Sequence, residues 1–247
     1  MDRMIYTAMT GAKHILEQQA TTAHNLANAT STGFKAQVDS FRAVPVRGQG
    51  LPTRAFVVDA TVGADFKHGA IQQTGRPLDV AVQGQGWLAV QRPDGSEGYT
   101  RNGSLKVNEN GLLQTANGLT VLGDAGPISI PPEVNVSIGK DGTVSTVSTL
   151  TLPGPPIVLG RLKLVNPNEA DLTRSNEGLF VTKSGQPAQA DANVSVVGGA
   201  LESSNVNVVE AMVNMISLAR QFDMQMKLVQ NAENNANKAG QLFNMST

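Results

Sequence analysis

Two apolar seams, one near each end of the chain, constrain this fold more than anything between them. Met212, Met215, Ala219, Phe222, Met226 and Val229 follow one another at alternating spacings of three and four, which puts them on one side of an α-helix. The phase continues more weakly through Glu233, Ala236, Gly240 and Phe243, while Asn214, Ser217, Arg220, Gln221, Asp223, Gln225 and Lys227 fall between the seam positions. At the amino end Ile5, Met9, Ala12, Leu16, Gln19, Ala23 and Leu26 repeat the alternation. An amphipathic helix ordinarily covers its own domain. Narrow seams at both ends point instead to helices that pair with each other, with the chain between them looped out as a separate body.

The first helix is expected to run from about Asp2 to Asn28, roughly 40 Å at 1.5 Å per residue. It stops in the small polar run Asn28-Ala29-Thr30-Ser31-Thr32-Gly33. Residues 31–75, with Pro45, Gly48, Gly50 and Pro52, read as an extended connecting segment. From 76 to 198 the period becomes that of strands: Leu78 to Val82 alternates, and Trp87 to Val90 follows the turn Gly84-Gln85-Gly86. Hairpin turns are expected at Asp94-Gly95, Asn102-Gly103, Asn110-Gly111, Asn117-Gly118 and Asp141-Gly142. Further strands are expected at Val134 to Ile138, Gly160 to Val165 and Leu179 to Thr182. Thr143 to Pro156 reads as an edge strand running into a proline-rich loop. Gly198-Gly199 separates this section from the last helical region, 199–247. The fold class is therefore α+β: terminal helices over 1–30 and 199–247 pairing as a coiled-coil-like stalk around an all-β domain.

Composition removes several functions. The net charge is −1 and the positive residues are scattered, so no surface for nucleic acid stands out. The chain has no cysteine, which excludes disulfides, thiolate metal sites and Cys nucleophiles. His14, His24 and His68 do not share a ligand spacing. No nucleophile elbow or phosphate loop is present, and Asp79, Asp94, Glu97 and Asp141 suit turns without catalysis. No catalytic, cofactor or metal site, and no small-molecule substrate, is expected. A run long enough to span a membrane and a cleavable Sec-type leader are both missing from the sequence, and composition alone would place the chain in the cytoplasm.

Four blocks carry a resemblance. Asn25-Leu26-Ala27-Asn28-Ala29-Thr30-Ser31-Thr32-Gly33-Phe34-Lys35 is followed by Thr74-Gly75-Arg76-Pro77-Leu78-Asp79-Val80-Ala81-Val82, then by Tyr99-Thr100-Arg101-Asn102-Gly103-Ser104-Leu105. The last is Gly199-Ala200-Leu201-Glu202-Ser203-Ser204-Asn205-Val206-Asn207. In this order they resemble the bacterial flagellar rod and hook proteins. Met1 to Ala12, Phe41 to Val46 and Phe222 to Lys227 are most similar to the proximal rod branch; a distal rod or hook role is the near alternative. The distant one is a ligand-binding or enzymatic β domain on a helical dimerisation stalk.

The resemblance implies a structural, non-enzymatic subunit of the periplasm-spanning basal-body rod, in place of the cytoplasmic reading. It implies helices lining a helical tube and β domains facing outward. It further implies export by the flagellar type III apparatus without a Sec signal, and neighbours among the proximal rod subunits and the distal rod protein FlgG. Ile5, Met9, Leu16, Leu26, Met212, Met215, Phe222 and Met226 are the expected packing residues of the assembly interface, with Asn25, Asn28 and Asn205 as caps or inter-helix hydrogen bonders. Each large seam side chain contributes about 1.5–3 kcal/mol when buried, against about 1–2 kcal/mol per residue for ordering backbone. Helices of this length are therefore expected to stay loose until a neighbouring subunit covers them.

Overall fold

The computed structural model describes residues 2–45, 55–148 and 155–244. Helix α1 spans Asp2–Ala27 and α2 Val208–Asn244. Between them run β1 (Gln37–Pro45), β2 (Ala55–Ala64), β3 (Ile71–Gln73), β4 (Val80–Gln83), β5 (Trp87–Gln91), β6 (Glu97–Thr100), β7 (Leu105–Val107), β8 (Leu113–Thr115) and β9 (Thr120–Gly123). They are followed by β10 (Gly126–Pro127), β11 (Val134–Ile138), β12 (Thr143–Ser148), β13 (Ile157–Arg161), β14 (Leu164–Val165), β15 (Leu172–Arg174), β16 (Phe180–Thr182), β17 (Ser195–Gly198) and β18 (Ala200–Glu202). The chain divides into two compact units. Unit 1 comprises Met1–Ala29, Ala36–Asp65 and Val206–Thr247; unit 2 comprises Thr30–Lys35 and Phe66–Asn205.

In unit 1, α1 packs against α2 and carries the antiparallel hairpin β1–β2 beside it. The two helices run antiparallel: Gly11 lies against the Gln225 side chain, while Gln18 and Asn25 border the same groove as Gln221 and Asn214. The end of α1 closes on itself, with the Asn28 amide and its Nδ2 both donating to the His24 carbonyl at 3.2 and 2.9 Å. α2 is opened by Asn207, whose Oδ1 accepts from the Val209 and Glu210 amides at 3.1 and 3.3 Å, satisfying two donors that the first turn leaves without a helical partner. The stretch after α1 is extended, and part of it forms β1 and β2.

Unit 2 is built on a long antiparallel sheet in the order β15-β16-β6-β5-β9-β8-β7, with β10 on β9 and β14 on β5. The sheet β11-β12-β13 and the pairs β17-β4 and β18-β3 complete it. Alternate side chains turn inward to a core that includes Val80, Leu88, Leu105, Leu113, Val144 and Leu162. Gly95, Gly111, Gly118 and Gly142 take positive φ at the expected turns.

Three local expectations change. β12 is the middle strand of its sheet rather than an edge, because Val144 and Thr146 face inward and the prolines stand beyond its end; residues 149–154 lie outside the described residues. Asn102-Gly103 is not a hairpin turn. A Cβ on Gly103 would sit 1.7 Å from the Val80 carbonyl oxygen, so the glycine is there for close backbone approach. Gly198-Gly199 does not end the strands either: Gly199, at φ +70°, turns the chain from β17 into β18.

Candidate assembly surfaces

Burial along the helices follows a period of three and four, in a phase that differs from the expected one. On α1, Ala12 and Ile15 are buried and Ile5, Ala8, Gln19, Thr22 and Leu26 half-buried. On α2, Ala211 is buried and Met215, Leu218, Phe222, Gln225, Val229 and Ala232 half-buried. Half of each expected seam is therefore covered. The other half lies one residue further on and is open: Met9 is 55% exposed, Leu16 49%, Met212 50% and Met226 39%, with Ala23 and Ala219 exposed beside them. One step along a helix turns a side chain by about 100°, so this row stands on the flank of the contact. The open row is apolar throughout, while the covered one includes Thr22 and Gln225, so apolar spacing alone points to the open row. The side chains of Ala236 and Phe243 lie outside the described residues.

Of the expected interface residues, the structure brings Ile5, Leu26, Met215 and Phe222 onto the half-buried rows and leaves Met9, Leu16, Met212 and Met226 on the open flank. Asn25 hydrogen-bonds outside the helices: its Nδ2 donates to the Gln37 carbonyl at 2.9 Å and its Oδ1 accepts from the Gln37 amide at 2.8 Å, clipping α1 to β1. Asn28 closes its own helix. Asn205 belongs to unit 2, where its Nδ2 donates to the Lys67 carbonyl at 3.1 Å; the cap of α2 falls two residues later, on Asn207.

Unit 2 holds a buried charge cluster that spacing arguments missed. Lys35 Nζ donates to Glu202 Oε1 and to the Lys67 carbonyl, both at 2.7 Å. Arg101 Nη1 donates to Glu202 Oε2 at 2.9 Å, and its Nη2 to the Gly84 carbonyl at 2.6 Å. The three side chains are 1–3% exposed. Burial pushes the Glu202 carboxyl up, but the Lys35 hydrogen bond, the Arg101 and Lys35 charges and the Gly69 amide outweigh it and hold the group below the usual carboxylate range. Burial lowers the Arg101 guanidinium, against the pull of Glu202.

Around this cluster the amino-terminal signature is fastened. The Gly33 amide donates to the Glu202 carbonyl at 2.8 Å, and the Asn205 amide to the Phe34 carbonyl at 3.3 Å. Arg174 lies 4.6 Å over the Phe34 ring and donates to the Lys35 carbonyl. Gly33, at φ +67°, has Arg101 backbone where a Cβ would be. The signature Thr32-Gly33-Phe34-Lys35, the Arg101 block and the Glu202 block are thus one piece of architecture, brought together from three parts of the sequence.

Residues 81–146 match the family described as the flagellar hook protein FlgE/F/G D1 domain, and residues 192–242 the flagellar basal body rod FlgEFG protein C-terminal. Over its whole length the chain is 48% identical to the whole of the flagellar basal-body rod protein FlgF of Escherichia coli strain K12, and 46% identical to that of Salmonella typhimurium strain LT2, again over both full lengths. The chain belongs to the FlgF family of flagellar basal-body rod proteins. Likeness to a FlgG protein is weaker: 31% identity to that of Buchnera aphidicola from Schizaphis graminum, over 89% of this chain and 91% of the other. As an FlgF-family protein it is a structural subunit of the proximal rod in the flagellar basal body. Among the described residues no helix is long and apolar enough to cross a membrane, and no cluster of His, Cys, Asp or Glu that could hold a metal ion is found.

Proposed function

We propose that this chain builds the proximal rod through its terminal helices, which pair in a coiled-coil-like manner and pack against those of neighbouring subunits to form a torque-transmitting tube. The observation that carries this reading is the open apolar row on both helices, Met9 and Leu16 on α1 and Met212 and Met226 on α2: exposed apolar surface of this extent marks an interaction site. The covered positions Ile5, Leu26, Met215 and Phe222 hold the pair itself. Asn25, Asn28 and Asn205 order the chain next to it. The neighbours are other rod proteins, proximal subunits and FlgG among them. The β region, 76–198, forms the outer domain, with 31–75 connecting it to the axial regions 1–30 and 199–247. The flagellar type III apparatus exports the chain without a Sec signal.

The pair completes its folding when neighbours cover it, since half-buried seam residues offset the ordering of helix backbone only in part. In limited proteolysis of dilute protein the helices are then cut before the β body. Helices that resist as long as the body overturn assembly-coupled ordering. The assembly role itself is tested by Met215→Asp and Phe222→Asp, each expected to abolish swimming while the β body keeps its thermal transition. Normal motility in both variants would sink the reading.

A further inference from the structure

One exposed imidazole stands on the backbone that encloses the buried charge cluster of unit 2. His68 has a chain neighbour on each side that is bonded to this cluster or to the chain beside it. The Lys67 carbonyl accepts from Lys35 Nζ at 2.7 Å and from Asn205 Nδ2 at 3.1 Å, and the Gly69 amide donates to Glu202 Oε1 at 3.0 Å. A Cβ on Gly69 would sit 1.9 Å from the Ser203 carbonyl oxygen, so residues 67–69 lie tight against the Glu202 block. The His68 side chain is exposed and open to protons from solvent, while its backbone has little room to carry a new charge away.

The charges around the ring are unequal. Lys35 and Arg101 are two buried cations that share one buried anion, Glu202. The exposed Glu169 is the other carboxylate that acts on the ring, and Lys67 and Asp65 stand on its own segment. Partial burial, then the Arg101 and Lys35 charges, hold the imidazole below its ordinary value against the pull of Glu202 and Glu169.

We propose that His68 is an acid-sensitive release for the amino-terminal signature: once protonated, it loosens the grip of residues 67–69 on Lys35, Glu202 and Asn205. The inference goes beyond the assembly reading and does not depend on it. With His68 neutral, Lys35 and Arg101 against Glu202 leave one positive charge in surplus. A proton on His68 adds a second, and Glu202, already ionised, has no further charge to offset it. Lys35 and Asn205 immediately precede residues 36 and 206, where the chain passes into unit 1, so the loosening falls on two of the points where it leaves the body. In the unfolded chain the imidazole titrates at about 6.5, so that form binds the proton first as pH falls. The stability given by a neutral His68 is therefore complete above about pH 6.5 and is withdrawn as pH falls from there towards the lower folded value.

The test follows the full-length chain from about pH 7.5 to about pH 5.5, with Trp87 as the reporter. Trp87 is the only tryptophan; it meets Phe66 edge-on at 5.7 Å and has the Arg101 guanidinium 5.4 Å over its ring. Across this range the native chain is expected to lose a few degrees of its fluorescence-detected melting temperature. His14→Gln/His24→Gln should lose as much, and His68→Gln little. An equal fall in His68→Gln and the native chain overturns the proposal. His68→Lys, charged throughout, is expected to melt at about pH 7.5 where the native chain melts at about pH 5.5; a melt unchanged from the native one at the higher pH counts against it. The release itself is read by hydrogen exchange at the Gly33, Gly69 and Asn205 amides, corrected for the acid dependence of exchange. Their protection should drop severalfold together in the native chain at the lower pH and hold in His68→Gln. A lower melting temperature with protection unchanged at these amides would place the effect elsewhere and overturn the release.

Discussion

In the core of the β body Leu105, Leu113, Val121 and Leu162 have no exposed surface, while Ile157 and Val158 on β13 are the most open of its described apolar side chains, at 64%. Its buried Lys35, Glu202 and Arg101 side chains are paired with one another, although Arg101 Nε makes no hydrogen bond among the described residues. In the helical unit Val209 is 70% exposed, Val213 60%, Met9 55% and Met212 50%. The two regions belong to one chain, yet one encloses a core and the other leaves an apolar row of its helices open. Burial separates the region that encloses a core from the one that leaves an apolar row open; on the assembly reading proposed above, a neighbour covers that row. A substitution should therefore register as stability in the body and as assembly in the helices.

The strongest break of this contrast is at Glu202. Glu202→Ala leaves Lys35 and Arg101 buried without their shared counter-charge, and an orphaned buried pair of this kind costs about 3–5 kcal/mol; urea unfolding of the purified chain should show it as a large drop in midpoint. Next is Gly33→Ala, which forces a side chain into left-handed backbone facing Arg101 and should cost about 1–3 kcal/mol, read as a lower melting temperature. A melt unchanged in that variant would mean that residues 30–35 are not held where the structure has them. Met212→Ser sharpens the comparison from the other side. At half exposure it should move the stability of the isolated chain by no more than about 0.5 kcal/mol while reducing the number of complete rods recovered from cells.

The smallest effect concerns acid. The folded carboxyl of Glu202 is held below its ordinary value, so its contribution is present above the unfolded carboxyl pKa of about 4.3 and is lost as pH falls through the lower folded value. Stability arising from this group should be level from pH 7 to about pH 5 and decline only below. Comparing the acid unfolding curves of the native chain and Glu202→Ala isolates that component; a difference between them that begins to shrink above pH 6 would contradict the cluster as described.

Much of this architecture is legible in the residues. The limits of α1, the period-two stretches and the turn glycines at 95, 111, 118 and 142 are local properties, set by side-chain periodicity and by φ, whereas the region read as helical from 199 gives a strand at 200–202 before α2 begins at Val208. Both seams are readable for the same reason, and their shared positions, Ile5, Ala12, Gln19 and Leu26 on α1 and Met215, Phe222 and Val229 on α2, are half-buried or buried in the structure. The slip from Met9 to Ala8, from Leu16 to Ile15 and from Met212 to Ala211 lies in the remaining half, where the covered row, with Thr22 and Gln225, is less apolar than the open one and periodicity selects the wrong neighbour. The cap at Asn207 is legible through Glu210 three residues on, in the pattern of a capping box, whereas Asn205, the expected cap, donates to the Lys67 carbonyl instead.

What the sequence determined by itself is the two helices and the turn-bounded strands from 78 onward, because helix and strand periods are written in neighbouring residues; the hairpin β1–β2 and the strand β3 inside the segment read as a connector were not among them. Tertiary structure alone decided the rest. Lys35 and Glu202 meet across 167 positions, and no local pattern announces a partner so far away. Whether Met9 or Ala8 is covered depends on where the second helix and the hairpin lie, since a helix offers every side of itself and only its neighbours select one.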